Sequence, residues 1–83
     1  MNSEDINFPA YRKYKNNKSY FRFSSPTQFE QIQLIGSKKM IHLVEAKLYA
    51  EKMYVNDMLY NFSEMAEVIT EQEYLLLKNS DNN

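Results

Sequence analysis

Eighty-three residues with a net charge of −1, 43% hydrophobic and 25% charged, describe one small globular domain. The absence of cysteine excludes a disulfide framework and a thiolate metal site, and a single histidine falls short of a zinc ligand set. No run approaches the roughly 20 apolar residues of a membrane span, and the acidic start Met1-Asn2-Ser3-Glu4-Asp5 lacks the basic-then-apolar order of a secretory signal. The expectation is a cytoplasmic protein with no membrane partner.

Gly36, Pro9 and Pro26 are the only strong punctuation, and no linker divides the chain, so residues 9–78 read as one domain. Residues 1–8 and 79–83 read as flexible ends. From Tyr11 to Ser24 the pattern is a β-hairpin. Asn16-Asn17 supplies a turn that tolerates positive φ, and Ser19-Tyr20-Phe21-Arg22-Phe23 alternates, with Phe21 and Phe23 on one face. Residues 25–36 support two readings. Ser25-Pro26-Thr27-Gln28 has the signature of a helix start, and Phe29, Ile32 and Ile35 recur at helical spacing. The same run, ending in the turn Gly36-Ser37-Lys38-Lys39, also forms a strand that pairs with the next one, and this reading is favoured.

Met40 to Leu48 alternates as a strand. Beyond it the period lengthens. Met58, Leu59, Phe62, Met65, Ala66 and Ile69 predict a helix begun by Asn56 or Asp57, with a strand through Met58, Tyr60 and Phe62 as the alternative. Thr70-Glu71-Gln72-Glu73 is a capping box opening a short final helix that needs a sheet to dock on. The sum is an α+β fold: a small antiparallel meander of about four strands, open or partly closed into a barrel, with helical C-terminal segments.

Several stretches carry a family resemblance: Tyr14-Lys15-Asn16-Asn17-Lys18-Ser19-Tyr20-Phe21, Phe29-Glu30-Gln31-Ile32 with Gly36, Asn56-Asp57-Met58, and Ile69-Thr70-Glu71-Gln72-Glu73-Tyr74. With these the chain resembles small bacterial domains of unknown function from AT-rich, Bacteroidetes-like genomes. The resemblance implies a bacterial protein of the same fold class and carries over no catalytic residue.

No constellation with the spacing of an active site occurs, so the chain reads as non-catalytic and without cofactor. His42 and Glu45 lie three apart on a strand and therefore on opposite faces, which separates a general base from its orienting carboxylate. Glu64, Glu67, Glu71 and Glu73 lack the alternating ligands and glycine turn of a calcium loop. Met40, Met53, Met58 and Met65 read as core, with an adaptable apolar surface as the alternative. One segment has functional colour. Tyr11, Arg12, Lys13, Tyr14, Lys15, Lys18, Tyr20 and Arg22 interleave cations with aromatic faces, the combination that holds single-stranded nucleic acid, and also one that contacts a protein partner. Charge is split along the chain. Residues 1–40 hold seven Lys/Arg against three acids, and residues 41–83 three Lys against eight acids. The leading expectation is a small protein-interaction or accessory protein, binding an unknown protein or itself as a homodimer. A nucleic-acid-binding module built on hairpin 11–23 is the alternative.

Overall fold

The computed structural model describes residues 6–80. The expected flexible ends therefore lie partly outside the described residues. Of the portions described, Ile6 packs against the core and the Ser80 carbonyl accepts from Lys39 Nζ at 2.7 Å.

Four strands form a meander: β1 (Ala10–Tyr14), β2 (Ser19–Ser25), β3 (Gln28–Ile35) and β4 (Lys38–Glu45). The chain then crosses one face of the sheet as α1 (Tyr49–Tyr60), pairs with β1 as β5 (Ala66–Val68), and covers the other face with α2 (Glu71–Lys78). Every pairing is antiparallel, and the strand order is β4-β3-β2-β1-β5. The fold class is the expected α+β.

Turn chemistry sets the registers. In the first hairpin Asn17 takes φ +63°, its N–H donates to the Tyr14 carbonyl at 2.9 Å, and the Asn16 side chain accepts from Lys18 N–H at 2.8 Å. Gly36, at φ +60°, opens a two-residue turn that places Ile35 opposite Lys38, and positive φ at the first turn position suits glycine. The Ser25-Pro26 start signal ends in a turn. The Ser25 hydroxyl accepts from Thr27 N–H at 3.2 Å, the bond a cap would make, but Gln28 then pairs with Ser25 and the chain continues as β3. Strand is thus the outcome for residues 28–35.

The inner strands of the sheet are covered on both faces. On one, Phe21, Phe23 and Phe29 pack beneath Val55, Met58 and Leu59 of α1. Phe21 and Phe23 are fully buried, each contributing about 1.5–3 kcal/mol. On the other, Tyr11 and Ile32 pack against Ile69 and Tyr74, with the Tyr11 and Tyr74 rings 5.4 Å apart. The cap expected at Thr70 forms, its hydroxyl accepting from Glu73 N–H at 3.0 Å.

The middle of the chain departs from expectation. The helix starts at Tyr49, seven or eight residues before Asn56 and Asp57, and ends at Tyr60 rather than continuing through Phe62 and Met65. Its start carries no Ser, Thr, Asp or Asn cap. Instead the Glu51 carboxylate reaches back to accept from Lys47 N–H at 2.8 Å and Leu48 N–H at 3.0 Å. That contact holds Glu51 below the usual carboxylate range through its two backbone hydrogen bonds.

At the end of the helix Arg12 caps the last carbonyls. Arg12 Nε donates to Met58 O at 3.1 Å, and a guanidinium nitrogen of Arg12 donates to Leu59 O at 3.3 Å. In a longer helix these oxygens would accept from residues 62 and 63. Ala66–Val68 then becomes a fifth strand, one more than expected and too short to leave a period in the sequence.

Arg12 is buried, sits 4.5 Å from the Phe62 ring centre, and donates once more to the Tyr11 carbonyl at 2.9 Å. Burial lowers its pKa, which is the direction desolvation of a cation dictates. Replacing Arg12 with methionine keeps the bulk and strands the carbonyls of Met58 and Leu59, while the Tyr11 carbonyl keeps the Ile69 N–H. Stability in urea unfolding should fall by about 2–4 kcal/mol. Arg12→Lys should recover less than half of that loss, because one ammonium lacks the planar fork.

Candidate functional site

The eight residues of the basic-aromatic hairpin are distributed through the interior and the tip of the sheet. β1 and β2 are internal strands, and both of their faces carry a helix. Tyr11 and Arg12 are buried. Tyr14 shares a hydroxyl–hydroxyl hydrogen bond with Tyr54 of α1, and burial together with that bond pushes the Tyr54 phenol above its ordinary value. Lys13 is half-buried, 3.5 Å from the Glu67 carboxylate and 3.4 Å from Glu73, with its ammonium 5.7 Å from the Tyr20 ring centre. Burial alone would lower the Lys13 pKa, but Tyr20 and the two carboxylates outweigh it and raise it. Arg22 Nε donates to the Tyr11 hydroxyl at 3.3 Å. Lys15 and Lys18 stand exposed on the loop joining β1 to β2. The structure thus brings Tyr11, Lys13, Tyr20 and Arg22 together under α2, sends Arg12 and Tyr14 to α1, and leaves Lys15 and Lys18 at the tip.

The second face is closed by a polar cluster. The Tyr74 hydroxyl donates to Glu30 Oε1 at 2.7 Å, and Lys78 Nζ lies 3.0 Å from Glu30 Oε2. Burial would raise the Glu30 pKa, but the hydrogen bonds from Tyr74 and Lys78 prevail and hold it below the usual carboxylate range. Lys39 Nζ donates to the carbonyls of Leu77 and Lys78, each at 2.9 Å, and so holds the C-terminal end of α2. His42 pairs with Gln31 and reaches diagonally to Gln33, its Nε2 3.3 Å from Gln33 Oε1, while Glu45 lies on the opposite face, as alternation requires.

The surface that stands open is β4. It is an edge strand of eight residues, and Met40-Ile41-His42-Leu43-Val44 carries no acid, lysine or arginine. Leu43 is 81% exposed and Ile41 46%. Ala46 N–H donates to Thr27 O, so the even positions of β4 turn their backbone groups toward β3. Alternation then leaves the N–H and C=O groups of Lys39, Ile41 and Leu43 without a strand partner among the described residues. A surface cavity of about 430 Å³ adjoins Leu43, with Arg22, Glu30 and Glu45 among its walls. The opposite edge, β5, is three residues long and offers little to pair with.

The alternation that predicts a strand over Met40–Leu48 does not mark it as an edge, and the strand ends at Glu45, with Leu48 at the start of α1. The available signal was five consecutive residues with no Lys, Arg, Asp or Glu, four of them apolar, between Lys39 and Glu45. Of the four methionines expected in the core, Met58 is fully buried, whereas Met40, Met53 and Met65 are exposed by 40% or more. Among the described residues no helix is long and apolar enough to cross a membrane. No protein-family model, curated protein or solved structure matches the chain.

The Glu30 cluster fixes a pH dependence. Because its folded pKa is depressed, Glu30 stabilises the fold fully above the unfolded-state value of about 4.3 and loses that contribution as pH falls through the folded value. Glu30→Gln should cost about 1–2 kcal/mol near neutral pH. Urea titrations of both proteins from neutral pH downward should show that difference shrinking below about pH 4.

Proposed function

We propose that the protein acts as a small non-catalytic interaction module that docks another polypeptide chain along the free edge of β4. The supporting observation is the edge itself: eight residues long, uncharged through Met40–Val44, with Leu43 81% exposed. Open edges add strands readily. Main-chain hydrogen bonds supply affinity, and side chains on alternate positions supply selectivity. Natural edges are usually blunted by lysine, proline, a bulge or shortness. Here Lys38, Lys39 and Glu45 mark the two ends, Lys39 is drawn onto α2, and the five residues between carry no Lys, Arg, Asp or Glu.

The nucleic-acid alternative draws its support from Lys15 and Lys18, two exposed cations on one loop. Stacking needs exposed aromatic faces between the cations. Tyr11 is buried, and Tyr20 lies beneath Lys13. The edge reading is therefore preferred.

A photo-reactive phenylalanine analogue placed at position 43, and separately at Asn16 on the hairpin tip, tests it in cells. Protein adducts should form at position 43 and be suppressed by the added change Ile41→Lys, while position 16 stays at background. Equal labelling at both positions, or none at 43, would contradict the reading.

A further inference from the structure

Resting on that reading of the edge, we propose that its occupant is a second copy of this chain. The two β4 strands pair antiparallel about a two-fold axis at His42, joining two five-stranded sheets into one.

Geometry and charge together select this register. The backbone groups free to bond outward belong to the odd positions 39, 41, 43 and 45, so an antiparallel partner must align odd residues with odd. Centring the axis on His42 sets Lys39 opposite Glu45 of the second copy and Ile41 opposite Leu43 of the second copy, each twice. The even positions then match Met40 with Val44. From Lys39 to Glu45 every pair is opposite in charge or apolar with apolar, apart from the central histidines. Moving the axis to Leu43 sets Lys39 against Lys47 and Ile41 against Glu45. Moving it to Ile41 sets Lys39 against Leu43 and leaves Glu45 facing Ser37. Directly opposed like charges destabilise a strand pair, and opposite ones stabilise it. Only the His42-centred register among these three satisfies both charged ends.

The positive end is already positioned. Lys39 Nζ gives its N–H groups to the carbonyls of Leu77, Lys78 and Ser80, so toward Glu45 of the second copy it acts as a fixed positive charge and not as a hydrogen-bond donor. Glu45 at the other end is exposed. Ile41 and Leu43 share a face, so pairing puts four large aliphatic side chains in one row across the joint, on the side where the cavity beside Leu43 opens. The surface is self-complementary, as a two-fold interface requires. Its extent is small, and a dissociation constant on the order of 10 μM is expected.

Sedimentation of the full chain from low to high micromolar concentration should give a monomer–dimer equilibrium. Leu43→Lys should abolish it with an unchanged circular dichroism spectrum, since that side chain is exposed. The natural chain has no cysteine, so single cysteines report the register without ambiguity. At a central non-hydrogen-bonded pair the Cα atoms approach to about 4.5 Å, within disulfide reach. With oxidised glutathione, His42→Cys should form a disulfide-linked dimer about tenfold faster than Ile41→Cys or Leu43→Cys. A wild-type chain monomeric throughout, a dimer surviving Leu43→Lys, or fastest linkage at 41 or 43 would overturn the proposal. If the chain is monomeric while position 43 still captures a different protein in cells, self-pairing fails and the edge reading stands. If neither occurs, both fail.

Discussion

The fold turns on a buried cation. Arg12 projects from an inner strand into the α1 face of the sheet and closes the C-terminal end of α1 by donating to the carbonyls of Met58 and Leu59. A helix end carries unsatisfied oxygens and partial negative charge, so a guanidinium there satisfies the acceptors and the dipole together. The contact spans 46 residues in sequence. It anchors the crossing by which the chain leaves β4 at one edge, passes over the sheet, and returns as β5 at the other. Because the chain departs in this way, β4 is left with one side unpaired.

The same device recurs on the opposite face, where Lys39 holds the C-terminal carbonyls of α2. The charge split along the sequence gains a physical meaning from these contacts. Cations of the basic first half sit on strands and serve the helix ends and carboxylates of the acidic second half, with Lys13 between Glu67 and Glu73 as a further instance. A basic-aromatic hairpin that reads as a binding ribbon in one dimension becomes a structural centre once helices cover both of its faces. A strand marked in the sequence only by its alternation becomes the exposed feature.

What the sequence made legible was local. Asn16-Asn17, the alternation of Phe21 and Phe23, the turn at Gly36 and the cap at Thr70 act over a few residues, and each appears where its chemistry places it. What escaped was set by distant contacts. The start of α1 depends on Glu51 reaching back to a segment with no capping residue of its own. Its end is capped by Arg12, which a periodicity count through Phe62, Met65 and Ile69 cannot register. Edge position follows from strand order, which depends on where the crossing helix lands. The candidate surface was therefore hidden for the same reason as the helix boundary.

Backbone hydrogen exchange along β4, followed residue by residue at low and high protein concentration, bears most directly on the claim that this strand is an open edge built to be paired. Even positions 40, 42 and 44 should exchange slowly at both concentrations, since their N–H groups already bond to β3. The N–H groups of Ile41 and Leu43 should exchange fast in dilute solution and slow markedly as the protein is concentrated. Odd positions protected at low concentration would mean that the edge is covered within the monomer. Odd positions exchanging fast at every concentration would mean that no second copy pairs with it.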